Sequence, residues 1–258
     1  GKLYNCTRYR CINNQFLPSL AGTLEAYYYR IKKIWDHIDL FVCPSQFMKD
    51  KMVEWGFPAA KMRVVYNPFR VPTHAPEMSL GTSVLYLGRI HYEKGIKLLM
   101  HAAKALPNTH FILAGSGPDE RWVEQFITHH NLKNVECWGY VAHGTERYFE
   151  AIRQAKVMVT PSLFYENCSM TILETLFYKR IPVAINRGGS PELVIEGKTG
   201  FLAAPEDAHD LARAIERAMN TTVSEAERIT TQARALVEKS YTTHRYIDSL
   251  EAIYRELA

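Results

Sequence analysis

The chain has 258 residues, with 31 Lys and Arg against 27 Asp and Glu, a formal net charge of +4. Hydrophobic residues make up 47% and charged residues 22%, which excludes disorder as the main state and supplies enough apolar material for a buried core. No run approaches the ~18 apolar residues of a membrane span, and Lys and Arg are spread along the chain rather than gathered into a nucleic-acid footprint.

The start, Gly1-Lys2-Leu3-Tyr4, has neither an initiating Met nor the apolar region of a signal peptide, so the chain reads as cut from a longer one. The five cysteines, an odd number, read as reduced thiols of a cytoplasmic protein. Cys6 and Cys11 form C-x4-C at the very start, which leaves half of a metal knuckle or a disulfide open. His129 and His130 point to different faces and find no third ligand nearby, so no metal site is expected.

In chain order, apolar residues at Leu20, Leu24, Tyr27, Tyr28, Ile31, Ile34, Trp35 and Ile38 predict an amphipathic helix from Pro18 to Ile38. A strand over Ile38–Cys43, a helix from Gln46 to Trp55 behind Ser45, and a strand over Met62–Tyr66 follow. Asn67 to Thr82 carries Pro68, Pro72 and Pro76 with little periodicity and reads as a linker. Beyond it strands are expected at Ser83–Leu87, His110–Ala114, Val135–Gly139, Val157–Thr160, Ile181–Ile185 and Phe201–Ala203. Helices alternate with them at Gly95–Leu106, Asp119–His130, Thr145–Gln154, Met170–Tyr178 and Ala208–Asn220. Two more, Ser224–Ser240 and Thr243–Leu257, close the chain. Such alternation means an α/β fold, a Rossmann-like parallel sheet covered by helices on both faces. In such sheets ligands sit beyond the carboxyl ends of the strands.

After the first of these strands, Gly88-Arg89-Ile90-His91-Tyr92-Glu93-Lys94-Gly95 places two cations in one loop, Gly88 letting the backbone turn. Arg89 offers a planar fork for phosphate oxygens and Lys94 a movable point charge. The second strand ends Gly115-Ser116-Gly117-Pro118-Asp119-Glu120, the beginning of a dinucleotide fingerprint with Glu120 in the third glycine position, which argues against a dehydrogenase. The most informative stretch is Pro161 to Glu174, where Glu166 and Glu174 form E-x7-E around Cys168, Ser169, Met170 and Thr171. With the helix starting near Cys168, Glu174 lies ~9 Å along its axis. Free N–H groups of Ser169, Met170 and Thr171 then lie between the carboxylates. A ligand with hydroxyls at both ends and phosphates in the middle matches that order, because a carboxylate accepts from both O–H groups of a vicinal diol.

The order G-R-x4-K-G, A-G-x-G-P, G-Y-V, E-x7-E, G-G-x-P-E-L-V and G-x-T-G-F-L resembles the donor half of glycosyltransferase family 4, the group 1 retaining glycosyltransferases of the GT-B fold. The resemblance covers about Val84 to Asn220. Residues Phe16 to Phe69 resemble the end of that family's acceptor domain, and the Cys6/Cys11 region resembles a cysteine-bearing subgroup. It implies a remnant of the acceptor-side domain over 1–68, a linker over 69–82, a nucleotide-sugar domain over 83–240 and a terminal helix over 241–258 crossing back to the first part.

The resemblance further implies that Arg89 and Lys94 hold the donor diphosphate and that Glu166 contacts the transferred sugar. The Ser169–Thr171 amides would meet sugar and phosphate, Glu174 the ribose, and Tyr140 and Val141 the base through their backbone. Gly188, Gly189 and Glu192 would shape the far wall of the cleft. Ser169 stands where the family often has Gly, and Asn167-Cys168 replace a Gly-aromatic pair, which bears on sugar identity. The donor would be a nucleotide-diphosphate sugar used without a cofactor. The acceptor would be a glycan or a lipid-linked molecule, with peripheral contact at the inner face of a membrane. Metal-independent donor binding is expected, because the Asp residues form no D-x-D pair. Donor binding with little or no transfer is expected of these residues alone. A glycoside hydrolase would want its carboxylates facing one bond at ~5–5.5 or ~6.5–9.5 Å, an order that E-x7-E along one helix does not match. A non-catalytic nucleotide-sugar binding module is the other reading.

Overall fold

The computed structural model describes residues 2–70 and 79–258. The first part holds α1 (Asn5–Arg8), α2 (Phe16–Ile31), β1 (Phe41–Cys43), α3 (Gln46–Glu54) and β2 (Met62–Val64), with β1 and β2 paired in parallel, Phe41 opposite Met62. The second part runs β3 (Ser83–Leu87), α4 (Ile96–Ala105), β4 (Phe111–Ala114), α5 (Glu120–His129), β5 (Val135–Gly139), α6 (Glu146–Gln154) and β6 (Ala155–Thr160). It continues with α7 (Met170–Phe177), β7 (Ile181–Ile185), α8 (Ser190–Leu193), β8 (Phe201–Ala203), α9 (Ala208–Met219), α10 (Val223–Ser240) and α11 (Thr243–Leu257).

The six later strands form one parallel sheet in the order β5-β4-β3-β6-β7-β8. The chain builds outward from β3 to β5, crosses back to β6, and builds the other way. Loops leaving β3 and β6 therefore diverge, and the crevice between them is where a doubly wound sheet binds its ligand.

Alternate side chains of each strand feed two cores. Val84 and Tyr86 face Leu99 and Met100 of α4, Val123 of α5 and Leu211 of α9. Leu85 faces the opposite layer with Ile152 of α6 and Leu173 and Leu176 of α7. Helix α10 serves both, through Ala226 and Ile229 at its start and Ala233 and Val237 at its end. Burying each Leu or Ile contributes roughly 1.5–3 kcal/mol, so helices are held on both faces of the sheet.

Two expectations from sequence need correction. The stripe over Pro18–Ile38 is neither one helix nor buried. Lys33 takes φ 50°, which ends α2, and Ile34–His37 is a separate 3-10 turn. The buried side chains of α2 are Ser19 and Thr23, whereas Leu17, Leu24, Tyr28 and Ile31 are exposed. The reason is local hydrogen bonding. Thr7 donates to Thr23 Oγ1 at 2.7 Å, and Ser19 Oγ accepts from the Ile12 N–H at 3.0 Å, so α1 and its following turn settle on the hydroxyl face. The first two strands are also shorter than the apolar runs that predicted them. Cys137 lies exposed on edge strand β5. Finally, α1 and α8, each under two turns, have no periodic signature.

Of the linker expected over 69–82, residues 71–78 lie outside the described residues. Its ends are anchored. The Phe69 N–H donates to the Tyr241 carbonyl at 2.6 Å, and the Thr82 N–H to that of Gln154 at 3.0 Å. Arg180, fully buried, donates to the carbonyls of Ser79, Ala155 and Tyr178 at 2.7, 2.8 and 3.1 Å. Burial pulls its pKa down to about 10. The last helix returns to the first part, where Glu256 of α11 pairs with Arg63 of β2.

Candidate functional site

Two adjoining cavities open between the loops of β3 and β6. The larger, about 540 Å³, is lined by Gly88, Arg89, Gly115, Gly117, Tyr140, Val141, His143, Tyr148, Thr171 and Glu174. The smaller, about 280 Å³, is lined by Gly88, Lys94, Ser162, Glu166, Cys168, Ser169, Met170 and Thr171. Leu87, Gly88 and Thr171 belong to both, so the two make one groove across the switch point.

The Lys94 end is built by loop-to-loop contact. Lys94 closes a 3-10 turn, Tyr92–Lys94, and Gly95 follows at φ 74° with its Cα against the Pro161 carbonyl. A Cβ there would fall 1.8 Å from that oxygen, so only glycine fits. The Glu93 carbonyl accepts from the Leu163 and Phe164 N–H groups at 2.9 and 3.2 Å, pinning the β3 loop to the β6 loop. Lys94 Nζ thereby donates to Glu166 Oε1 at 2.5 Å, and Ser162 Oγ donates to the same oxygen at 3.1 Å. Arg89 stays half-exposed, 3.7 Å from Glu93.

Helix α7 begins at Met170, where the sequence placed its start. Ser169 is its N-cap, accepting from the Ile172 N–H at 3.4 Å. The Met170 and Thr171 N–H groups, in the first turn and beside the groove, lie where the helix dipole favours an anion. Burial pushes the Cys168 thiol up to about 11, so this groove-lining sulfur stays protonated.

At the other end Glu174 is mostly buried, and burial raises its carboxyl above the usual range against the pull of His143 and Tyr148. His143 Nε2 stands 3.3 Å from Glu174 Oε1.

Two loop readings change. Gly88 has ordinary space for a side chain, since a Cβ there would lie 3.5 Å from the Tyr86 hydroxyl, and its backbone is not left-handed. The close approach is instead at Gly115, where a Cβ would fall 1.8 Å from the Gly88 carbonyl. Glu120, in the third glycine position of the fingerprint, turns its carboxylate onto the Gly117 N–H. That amide is occupied by the protein's own anion, in keeping with the sequence argument against a dehydrogenase. Gly188, Gly189 and Glu192 do not line the groove. The Gly189 N–H donates to the Glu166 carbonyl at 2.6 Å, supporting that loop from behind. Glu192 accepts from the Gln46 and Phe47 N–H groups of α3 at 3.0 and 2.7 Å.

The structure thus brings Arg89, Lys94, Glu166, Glu174 and the first turn of α7 to one groove. Sequence reasoning missed Ser162, His143 and Tyr148. Ser162 carries only the weak signal of following a strand. Nothing in the spacing of His143 or Tyr148 points to Glu174.

Comparison with known proteins decides the family. The model for glycosyl transferases group 1 matches residues 81–236, and that for Glycosyltransferase Family 4 matches residues 10–71. The chain belongs to the group 1 glycosyl transferases. Alpha-D-kanosaminyltransferase of Streptomyces kanamyceticus is 32% identical over 179 residues, 67% of this chain and 45% of that protein. Glycogen synthase of Mycobacterium tuberculosis is 31% identical over 192 residues, 70% of this chain and 46% of the other. The chain thus spans about half the length of these relatives. Among solved structures, Anabaena HepE in complex with UDP and glucose superposes with a TM-score of 0.71 at 21% identity, over 84% of this chain and 63% of that one, a likeness of fold. The six-stranded sheet is accordingly the Rossmann-like half of a GT-B group 1 transferase.

Proposed function

We propose that the groove is the donor site of a retaining glycosyltransferase that moves a hexosyl group from a nucleotide-diphosphate sugar to a glycan or lipid-linked acceptor. One observation carries the reading: along a single groove stand a diol-accepting carboxylate, Glu174, then the first-turn amides of α7 with Arg89, then Lys94 with Glu166. The nucleoside lies at Glu174, the diphosphate over Met170 and Thr171, and the sugar at Glu166. UDP bound in HepE supports a nucleotide donor.

Transfer requires stabilising negative charge on the departing diphosphate while the sugar becomes cation-like. Arg89, the helix N-terminus and Lys94, once drawn from Glu166, supply that field, and each such donor is worth about 3–4 kcal/mol. These cations do the work a divalent ion does elsewhere, and we propose metal-independent donor binding. Glu166 and Glu174 line different ends of the groove with Thr171 between them, which does not suit carboxylates flanking one glycosidic bond. A lipid-linked acceptor would bring the protein to a membrane face as a peripheral partner. Among the described residues no helix is long and apolar enough to cross one.

Calorimetry with UDP-glucose, UDP-N-acetylglucosamine and GDP-mannose tests the site. Wild type should bind one of them in chelator, and Lys94→Ala should bind it at least about tenfold more weakly. Binding to none overturns the reading, and binding lost in chelator and restored by manganese overturns metal independence. The anomeric configuration of the product, read by NMR on the full-length protein, tests retention.

A further inference from the structure

At the end of the groove away from Lys94 stand three titratable side chains that charge stabilisation does not use. His143 Nε2 is 3.3 Å from Glu174 Oε1, and the two differ sharply in surroundings, the imidazole being 68% exposed and the carboxylate 13%. The His143 ring packs on that of Tyr148, with centroids 4.6 Å apart. Tyr148 is 1% exposed, and its hydroxyl lies against Glu174 and Tyr178 without a hydrogen bond of ordinary geometry to either. A carboxylate that is to accept from both hydroxyls of a ribose must be ionised, and its buried position opposes that.

We propose that His143 is a positioning residue for Glu174: its imidazolium, at the solvent side of the groove, holds the carboxylate ionised and oriented, so that nucleotide binding persists to lower pH than the buried carboxylate would otherwise allow. The inference rests on the donor-site reading above.

The groups facing this corner are few. Glu174 comes from α7, Tyr178 from the residue after it, and Tyr148 from α6, and Arg89 lines the same cavity from the β3 loop. Arg147 of α6 is turned away, donating to the Trp138 carbonyl at 2.8 Å. Burial drives the Glu174 carboxyl up, and the charge of His143 is the strongest influence drawing it back. Removing the imidazole therefore moves the acid limb of binding to higher pH, whereas a permanent cation in its place keeps the limb low. His143 is a surface residue, so its replacement leaves the packing of the fold in place.

The test is affinity for UDP or GDP, whichever wild type binds, by calorimetry from pH 5 to 8 for wild type, His143→Ala, His143→Gln, His143→Lys, Glu174→Gln and the double variant His143→Ala/Glu174→Gln. Phosphate titration is common to all. His143→Ala and His143→Gln should match wild type at pH 8 and bind about tenfold more weakly at pH 5.5, one unit of displacement in the limb. His143→Lys should restore acid binding, and in the Glu174→Gln background His143→Ala should change nothing. Equal loss at every pH, an unmoved limb, or the same loss without Glu174 would overturn the proposal. Failure of wild type to bind UDP or GDP at any pH would instead sink the donor-site reading beneath it.

Discussion

Lys94 Nζ and Glu166 Oε1 are 2.5 Å apart although 72 positions separate them in the chain. The pair exists because the Glu93 carbonyl ties the β3 loop to the loop after β6. In the unliganded groove the two charges neutralise each other, and a diphosphate entering must compete with Glu166 for the ammonium.

Glu166→Gln should therefore keep or raise affinity for UDP while removing the added affinity of the sugar nucleotide over UDP. Lys94→Ala should weaken both, by about 1.5–3 kcal/mol, the range of hydrogen bonds to charged groups. Paired titrations with UDP and the sugar nucleotide decide this. A Glu166→Gln protein that loses UDP as severely as Lys94→Ala would contradict the assignment of its carboxylate to the sugar.

Glu174 should show a conflict between stability and binding. Its folded-state pKa is raised above the unfolded value, chiefly by burial. Such a group gives its full stability below the unfolded pKa and loses it as pH rises through the folded one. Without nucleotide, Glu174→Gln should match wild type near pH 4 and exceed it in melting temperature at pH 7–8, with nucleotide binding weakened but still measurable. Calorimetric melting across that range is the check, and a variant less stable than wild type at pH 8 would refute it.

Glu192 caps a helix that begins 146 positions earlier in the chain. Its carboxylate takes the N–H groups of Gln46 and Phe47, and Ser45 Oγ takes that of Met48 at 3.1 Å. Glu192→Ala leaves the first two donors without their acceptor and should cost about 0.5–2 kcal/mol in urea unfolding. Phe47 also stacks on Tyr165, with centroids 5.8 Å apart and planes within 1°, so the loss should loosen the loop carrying Glu166. Affinity for the sugar nucleotide should fall more than affinity for UDP.

Arg180→Met should be the most damaging of these changes. It removes the donor from the buried carbonyls of Ser79, Ala155 and Tyr178, and an unsatisfied buried acceptor costs about 1–3 kcal/mol. Arg180→Lys should fall between, since an ammonium cannot span three carbonyls in the guanidinium's plane. Chemical denaturation of the three proteins ranks them, and a Met variant as stable as wild type would show that the carbonyls find other donors.

The strand-and-helix alternation from Ser83 to Met219 was legible because each strand is a short apolar run and each helix repeats its apolar residues every three or four positions. The same reasoning failed at α2, where the apolar stripe is real but the buried face is made by the hydroxyls of Ser19 and Thr23. Periodicity reports which faces could be buried, not what arrives to cover them. The residues Arg89, Lys94, Glu166 and Glu174 stood out because cations after one strand and paired acids around a helix start are local patterns with a chemical meaning. His143, Tyr148 and Ser162 carry no such pattern, and their relevance comes wholly from where the fold puts them.

By itself the amino-acid order determined a parallel sheet with helices on both faces and the kinds of side chain at the carboxyl ends of its strands, since both follow from short-range periodicity and turn chemistry. Only the tertiary structure decided that Lys94 meets Glu166, that His143 meets Glu174, and that Glu192 leaves the groove to cap α3. Those pairings depend on loops brought together by strand order across the switch point, and strand order arises from long-range packing that no local stretch of sequence encodes.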